Sequence, residues 1–343
     1  MTGPHTPRSI VVSMGDPAGI GPELALQAWQ HERASLPPFA LLADGAHLAG
    51  LARRIGLADL PLQPVESPDQ VNRTFATALP VLTCPLARPA TPGTPDPANG
   101  AAVVEAIRRG AAYCLSGEAR ALVTLPIHKK TLYDAGFGFP GHTEYLGQLC
   151  GGKPVMLLVG GGLRVAPVTI HLALRQVADS LRQADIVHAG RVVAEALRRD
   201  FAIAEPRLAV AGLNPHAGED GALGDEERRI IAPAVAALAA EGWQVSGPWP
   251  ADSLFHEAAR ERYDAVLTMY HDQALIPLKT LDFYGGVNTT LGIGIVRTSP
   301  DHGTAFDIAG RAIAHRGSLV AALRLAADMA RARAAQPAPA AAP

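Results

Sequence analysis

Cysteine is scarce in this chain: Cys84, Cys114 and Cys150 are the only three among 343 residues, and they stand far apart. An odd, scattered set excludes a disulfide framework and suits a reducing cytosol. Charge of one sign is also missing. Thirty Lys and Arg against 32 Asp and Glu leave a net charge of −2, with no basic stripe or block of like charges. Nucleic acid and anionic membrane surfaces are therefore not expected as partners. Long apolar runs are absent as well. The opening "MTGPHTPRSIVVSMGD" reaches only about five apolar residues before an acid, too short for a signal peptide or a membrane span, so a cytoplasmic location is expected. No internal repeat is visible.

What remains is the composition of a globular protein, 48% hydrophobic and 18% charged, in a chain long enough for two domains of roughly 150 residues each. Apolar runs such as "SIVVSM", "FALLAD", "PVLTC", "ALVTLP", "VMLLVG", "VAPVTIH", "RLAVAGL", "DAVLTM" and "GIGIVRT" alternate with segments of helical period. Continuously apolar strands are buried on both faces, the mark of a parallel sheet covered by helices. The expected class is α/β, doubly wound. The five-proline stretch 85–100 reads as a surface loop, and the Ala/Pro-rich tail is expected to be disordered beyond about residue 333.

Chemistry gathers where strands stop. "VAPVTIH" ends in His171, "AVAGLNPH" in His216, "AVLTMYH" in His271 and "ALVTLPIHK" in His128 and Lys129. Ligand sites of open parallel sheets form at the carboxyl ends of strands. Imidazole is the commonest metal ligand, and three histidines with an open position make a catalytic metal site. The three lie 45 and 55 residues apart, so no zinc-finger spacing supports them. Asp272 follows His271 directly, and Lys279 closes the same stretch, "YHDQALIPLK".

Two glycine-bearing stretches invite a nucleotide. "GDPAGIGPE" carries Gly15, Asp16, Gly19 and Gly21 between the first strand and first helix, where backbone amides would face a phosphate. It is not G-x-G-x-x-G. "SPDHGTAFDIAG" packs His302, Gly303, Thr304, Asp307 and Gly310 into a polar loop whose small residues let a flat group approach. Upstream, Asn288 and Arg297 offer an amide and a guanidinium, the latter suited to carboxylate or phosphate. "FPGHTEYL" sets His142 and Thr143 at a glycine turn, with Thr143 expected to cap the helix that follows. Asp301 and Asp307 flank His302 and no basic residue follows until Arg311, so NAD is expected over NADP, unless folding brings Arg8, Arg53 or Arg54 to the same spot and lets NADP bind.

As a set, "SMGDPAGIGPE", "GHTEYL", "GLNPHAGE", "YHDQALIPLK", "GVN-TLG" and "RTSPDHGTAFDIAG" resemble the 4-hydroxythreonine-4-phosphate dehydrogenase family of pyridoxal 5′-phosphate biosynthesis over nearly all of residues 8–315. That family sits within the isocitrate/isopropylmalate dehydrogenase-like superfamily. The resemblance implies two α/β domains with the active site in the cleft between them, one from residues 1–125 and 280–343, the other from 126–279. It implies His171, His216 and His271 as ligands of one divalent metal (Zn, Mg or Co), and His142, Thr143, Lys279, Asn288 and Arg297 as substrate contacts. Lys279, His271 and Asp272 would form the catalytic group. Gly15, Asp16, Gly19, Gly21, His302, Gly303, Thr304 and Asp307 would form the cofactor loops. It further implies a homodimer whose sites draw on both subunits.

The chain departs from the family in having "PVTIH" and "GIGIVRTS" where "ATTH" and "LPFIRTS" are more usual. Neither change removes a ligand, but both leave room for a sister dehydrogenase acting on threonate or erythronate 4-phosphate, or on an aromatic cis-dihydrodiol. A metal-dependent hydrolase would use the same three histidines to activate water, but would have no use for the cofactor loops. A two-domain ligand-binding protein would need neither.

Overall fold

The structure, a computed structural model, describes residues 8–336. Along them run β1 (Ile10–Ser13), β2 (Phe39–Ala43), β3 (Leu62–Val65), β4 (Leu79–Thr83), β5 (Ala121–Thr124) and β6 (Val155–Gly160), then β7 (Leu163–Pro167), β8 (Arg207–Ala211), β9 (Gln244–Trp249), β10 (Ala265–Thr268), β11 (Val287–Leu291) and β12 (Arg297–Pro300). The chain forms two compact units. The first runs to Pro154 and resumes over Ile293–Ala330; the second is Val155–Gly292 with the chain from Arg331 on. The boundaries thus fall at 154 and 292 rather than 125 and 279. Residues 126–154, with His142 and Thr143, go with the first unit, and 280–292, with Asn288, go with the second.

The first unit holds the strand order β3-β4-β2-β1-β5-β12, parallel throughout. From β1 the chain builds outward through β2, then returns to add β5 on the other side. Right-handed crossovers in opposite directions place helices on opposite faces, so the unit is doubly wound. Ile10, Val11, Val12, Leu41, Leu42, Leu122 and Val123 are completely buried, as a sheet covered on both sides requires. The helix Gly100–Leu115 packs so closely that a Cβ on Gly110 would come within 2.6 Å of the Leu122 side chain.

The second unit holds β11-β6-β7-β10-β8-β9 and is not wholly parallel. β6 runs against both β7 and β11. The cause is local: Gly161 (φ 55°) and Gly162 (φ 76°) form a two-residue turn with positive φ at both positions, which joins β6 and β7 as a hairpin. Leu158, Leu163, Val165, Val266, Ala274 and Leu278 build its core.

Two elements lie outside those read from the sequence, and one expectation changes. Residues 287–291, absent from the runs read as strands, form β11, with Thr289 and Thr290 buried. The segment 271–281 is a helix in spite of Pro277, and it carries His271, Asp272 and Lys279 together. The helix Gly317–Ala335 continues past residue 333, while the rest of the tail and the first seven residues lie outside the described residues. Among the described residues no helix is long and apolar enough to cross a membrane, and Cys84, Cys114 and Cys150 form no disulfide.

Candidate active site

In the second unit, His171, His271 and His216 follow β7, β10 and β8, three strands that are neighbours in that order. Backbone pairing continues beyond the strands. Val168 N donates to the Thr268 carbonyl at 2.8 Å, and Thr169 donates to the Met269 carbonyl through both its N–H and its hydroxyl. This brings the His171 and His271 rings to 6.0 Å between centroids, on a cavity of about 270 Å³. His271 Nδ1 lies 2.7 Å from Asp272 Oδ1. A carboxylate on one ring nitrogen fixes the tautomer and points the other nitrogen outward, the usual arrangement behind a metal-ligating histidine.

His216 occupies an unusual turn. His216, Ala217, Gly218, Glu219 and Asp220 all have positive φ, a run that costs about 1–2 kcal/mol for each non-glycine member. Buried Glu227 holds it. Its Oε1 accepts from Leu213 N and Asn214 N, both at 2.7 Å, and Oε2 accepts from Asn214 Nδ2 at 2.9 Å. Gln273, also buried, accepts from Met269 N and donates to the Gly212 carbonyl, tying the ends of β10 and β8 together. Neither Glu227 nor Gln273 was marked by sequence, because their partners lie up to 61 residues away. Among the described residues of one chain, no three His, Cys, Asp or Glu side chains converge as a metal site.

In the first unit, Arg297 is buried on β12, with Nε and Nη2 donating to Thr124 Oγ1. Burial lowers its pKa to about 9, so it is still a cation at neutral pH. His142 opens the helix His142–Cys150. Its Nε2 is enclosed without a hydrogen-bond partner. Burial, then the charges of Arg297 and Lys129, keep its pKa well below the ordinary histidine value, so the ring stays neutral. A neutral imidazole between two cations, with an unsatisfied nitrogen, is built to meet an anion that also offers or accepts a hydrogen bond. Thr143 is the second helical residue rather than the cap. Gly141 takes the cap position, and no side chain caps the helix.

The loop 15–21 behaves differently from expectation. Asp16 N donates to the Pro126 carbonyl, Ala18 N to Asp16 Oδ1, Gly19 N to the Asp16 carbonyl and Ile20 N to the Thr304 carbonyl. Four amides expected to cradle a phosphate are spent inside the protein. Gly15 (φ 67°) is required here, since a Cβ would sit 2.5 Å from the Pro126 carbonyl oxygen. The loop's task is to support residues 301–310. Buried Glu23 helps, its Oε2 accepting from Gly310 N at 2.6 Å. His128 packs edge-on to Phe306 at 5.1 Å. Asp307 is exposed on this loop while His302 is half-buried, and Arg54 Nε donates to the Gly310 carbonyl at 3.2 Å. A guanidinium therefore stands beside the loop, and it is Arg54, one of the first-domain arginines that folding was open to bring there.

Lys279 lies eight residues beyond His271 on one helix, about 12 Å along its axis, with Nζ 5.5 Å from the Phe283 ring centre. Asn288 sits on β11 opposite Leu158.

Residues 37–326 match the family model described as Pyridoxal phosphate biosynthetic protein PdxA. The chain is 52% identical over 332 residues to a 4-hydroxythreonine-4-phosphate dehydrogenase of Caulobacter vibrioides, covering 95% of this chain and 98% of the relative. A relative of the same name from Paracoccus denitrificans is 52% identical over 330 residues, covering 94% and 98%. Among solved structures, the enzyme of that name from Klebsiella pneumoniae superposes with a TM-score of 0.86 at 40% identity, over 94% of this chain and 99% of that one. A terephthalate 1,2-cis-dihydrodiol dehydrogenase from Burkholderia xenovorans gives 0.62 at 29%, over 94% and 98%. With family model, curated relatives and solved structures in agreement, the chain belongs to the PdxA family and is an oxidoreductase of its dehydrogenase type.

Proposed function

We propose that this enzyme oxidises 4-phosphooxy-L-threonine with NAD to 2-amino-3-oxo-4-phosphooxybutanoate, which loses CO₂ to give 3-amino-2-oxopropyl phosphate, a step of pyridoxal 5′-phosphate formation. The observation that carries this reading is the 52% identity, over 95% of the chain, to a dehydrogenase named for that substrate. The sister reading as a dihydrodiol dehydrogenase has the weaker likeness, 29% with a TM-score of 0.62.

The chemistry of the donor set suits a divalent metal: imidazoles at three adjacent strand ends, one already oriented by Asp272. His171, His216 and His271 would hold it, in a homodimer whose subunits share the site. When bound, the metal supplies Lewis acidity toward the substrate hydroxyl and the nicotinamide accepts the hydride. Arg297, Lys129 and neutral His142 hold the substrate's anionic groups and fix the reacting carbon. Asn288 and Thr143 add neutral hydrogen bonds. Lys279 serves either an anionic group or the proton leaving the hydroxyl, which the pH profiles of Lys279→Arg and Lys279→Met separate. The 301–310 loop with its support at 15–21 takes the nicotinamide cofactor. Asp301 and Asp307 favour NAD, while Arg54 beside Gly310 lets NADP be accepted less well.

Incubation with 4-phosphooxy-L-threonine, NAD and a divalent metal should produce reduced nicotinamide and CO₂ together. Turnover of threonate 4-phosphate or a cis-dihydrodiol, with none of the amino acid, would transfer the assignment to a sister enzyme. A kcat/KM for NADP equal to or above that for NAD would overturn the cofactor preference.

A further inference from the structure

Three parts of the first unit meet at the half-buried ring of His128, just beyond β5. Nδ1 lies 2.6 Å from Oγ1 of buried Thr131. The ring stands edge-on to Phe306, with centroids 5.1 Å apart and planes at 88°. Asp16 is buried, which pushes its carboxyl pKa upward; the Ala18 amide and the nearby His128 imidazole pull it back. His128 thus faces the loop 15–21, the loop 301–310 and the helix Lys129–Asp134 at once.

These neighbours differ in firmness. Thr131 is anchored, because its helix packs so tightly that a Cβ on Gly100 would come within 2.5 Å of Ala135 Cβ. Leu132 N also donates to the His128 carbonyl at 3.2 Å. Phe306 stands instead on strained backbone. It follows Ala305, whose φ of 43° puts a non-glycine residue in the left-handed region. Such a conformation persists only where the contacts around it over-determine it, and the His128 ring supplies one of them.

Lys129 comes next in the chain and is exposed, with Nζ 3.9 Å from where a Cβ on Gly141 would lie. After burial and Arg297, its charge is the third influence that keeps His142 neutral. An anion seated between Lys129 and His142 therefore fixes the backbone that carries His128.

We propose that His128 is a positioning residue that couples substrate to cofactor: an anion at Lys129 and His142 steadies the His128 ring against Phe306, and the 301–310 loop is thereby held in the form that takes the nicotinamide cofactor. The proposal rests on the dehydrogenase reading above and adds that the two ligands bind cooperatively. By linkage the coupling is reciprocal, each ligand tightening the other by the same factor.

The test uses the metal-loaded full-length protein and NADH, which forms a complex with 4-phosphooxy-L-threonine that cannot turn over, since both are already reduced. Calorimetry gives the NADH affinity alone, with saturating 4-phosphooxy-L-threonine, and with inorganic phosphate as the anion. In the native protein the anion should tighten NADH by about fivefold or more. Asparagine suits the position before a helix, so His128→Asn preserves the entry to Lys129–Asp134 while removing the ring. This variant should bind each ligand alone within about twofold of native, with the coupling reduced to near unity. Phe306→Leu should lose the coupling too. Native coupling retained in either variant would overturn the proposal, as would a native protein whose NADH affinity ignores both anions. A loss of NADH affinity in His128→Asn that is equal with and without anion would mark a merely structural role, and would overturn it as well. If NADH and phosphate are coupled through His128 but the amino acid is not oxidised, the substrate assignment falls and this inference stands; if the native protein binds no NADH, both fall.

Discussion

His216 sits in backbone that a histidine seldom adopts, at φ 53° within five consecutive positive-φ residues. Strain of this kind persists only where surrounding bonds over-determine it, and it concentrates at functional sites. Here backbone bonds from Ala217 to Asn214, Ala222 to Glu219 and Leu223 to Gly218 close the turn, and Glu227 anchors its approach at Leu213 and Asn214. Two outcomes are expected at this scale. His216→Ala should lose the bound metal and turnover while keeping its melting behaviour, because the side chain is exposed; stoichiometric metal with full activity in that variant would remove His216 from the ligand set. Glu227→Gln keeps the shape but removes the charge that two backbone amides address. Its metal affinity should fall by about 10- to 100-fold, the scale for groups that orient a ligand, as read by competition with a chelator.

At the scale of elements, the helix Gln183–Asp200 ends in a carboxylate with no solvent exposure. Arg199 and Arg333 each grip Asp200 through two bonds of 2.8–2.9 Å. Burial alone would raise the Asp200 pKa, but the two guanidiniums overcome it and the net shift is downward. An acid with a depressed folded pKa contributes stability that is complete above its unfolded pKa, near 3.9, and is lost as pH falls through the folded value. Asp200→Asn should therefore destabilise by about 3–5 kcal/mol at neutral pH, since it leaves two guanidiniums without their counter-charge. In denaturant titrations the gap between variant and native protein should close as pH drops below 4. A gap that stays constant with pH would rule out the charge as its source.

At the scale of the whole molecule, the three histidines do not close a metal site within the described residues of one chain. A site shared between subunits makes a specific demand. His216→Ala and His271→Ala should each be inactive as pure homodimers. Where His216 and His271 of one site come from different subunits, the two variants mixed, dissociated and reassembled should regain part of the native turnover, because each hybrid dimer then contains one site with all three ligands. If the mixture stayed as inactive as its parents while hybrid dimers were detected by mass, His216 and His271 would have to come from one subunit.

Much of this was legible in the sequence, and the reason is that strand runs and strand ends are local patterns. "AVLTMYH" announces a buried strand followed by a histidine wherever that strand lies in the sheet, and His171, His216 and His271 do follow three adjacent strands. The sequence motifs also identified the family. What folding alone decided is which distant groups meet. The amides of "GDPAGIG" looked free for a phosphate, yet Asp16 takes those of Ala18 and Gly19 locally, and the amides of Asp16 and Ile20 bond Pro126 and Thr304, more than 100 residues on. Arg54 reaches Gly310 across 256 residues and changes the charge beside the 301–310 loop. β6 runs antiparallel because the Gly161–Gly162 turn sends the chain straight back, although its apolar run reads the same in either direction. Periodicity records which face of an element is buried, whereas partners, direction and the satisfaction of buried amides depend on crossovers that bring remote segments together.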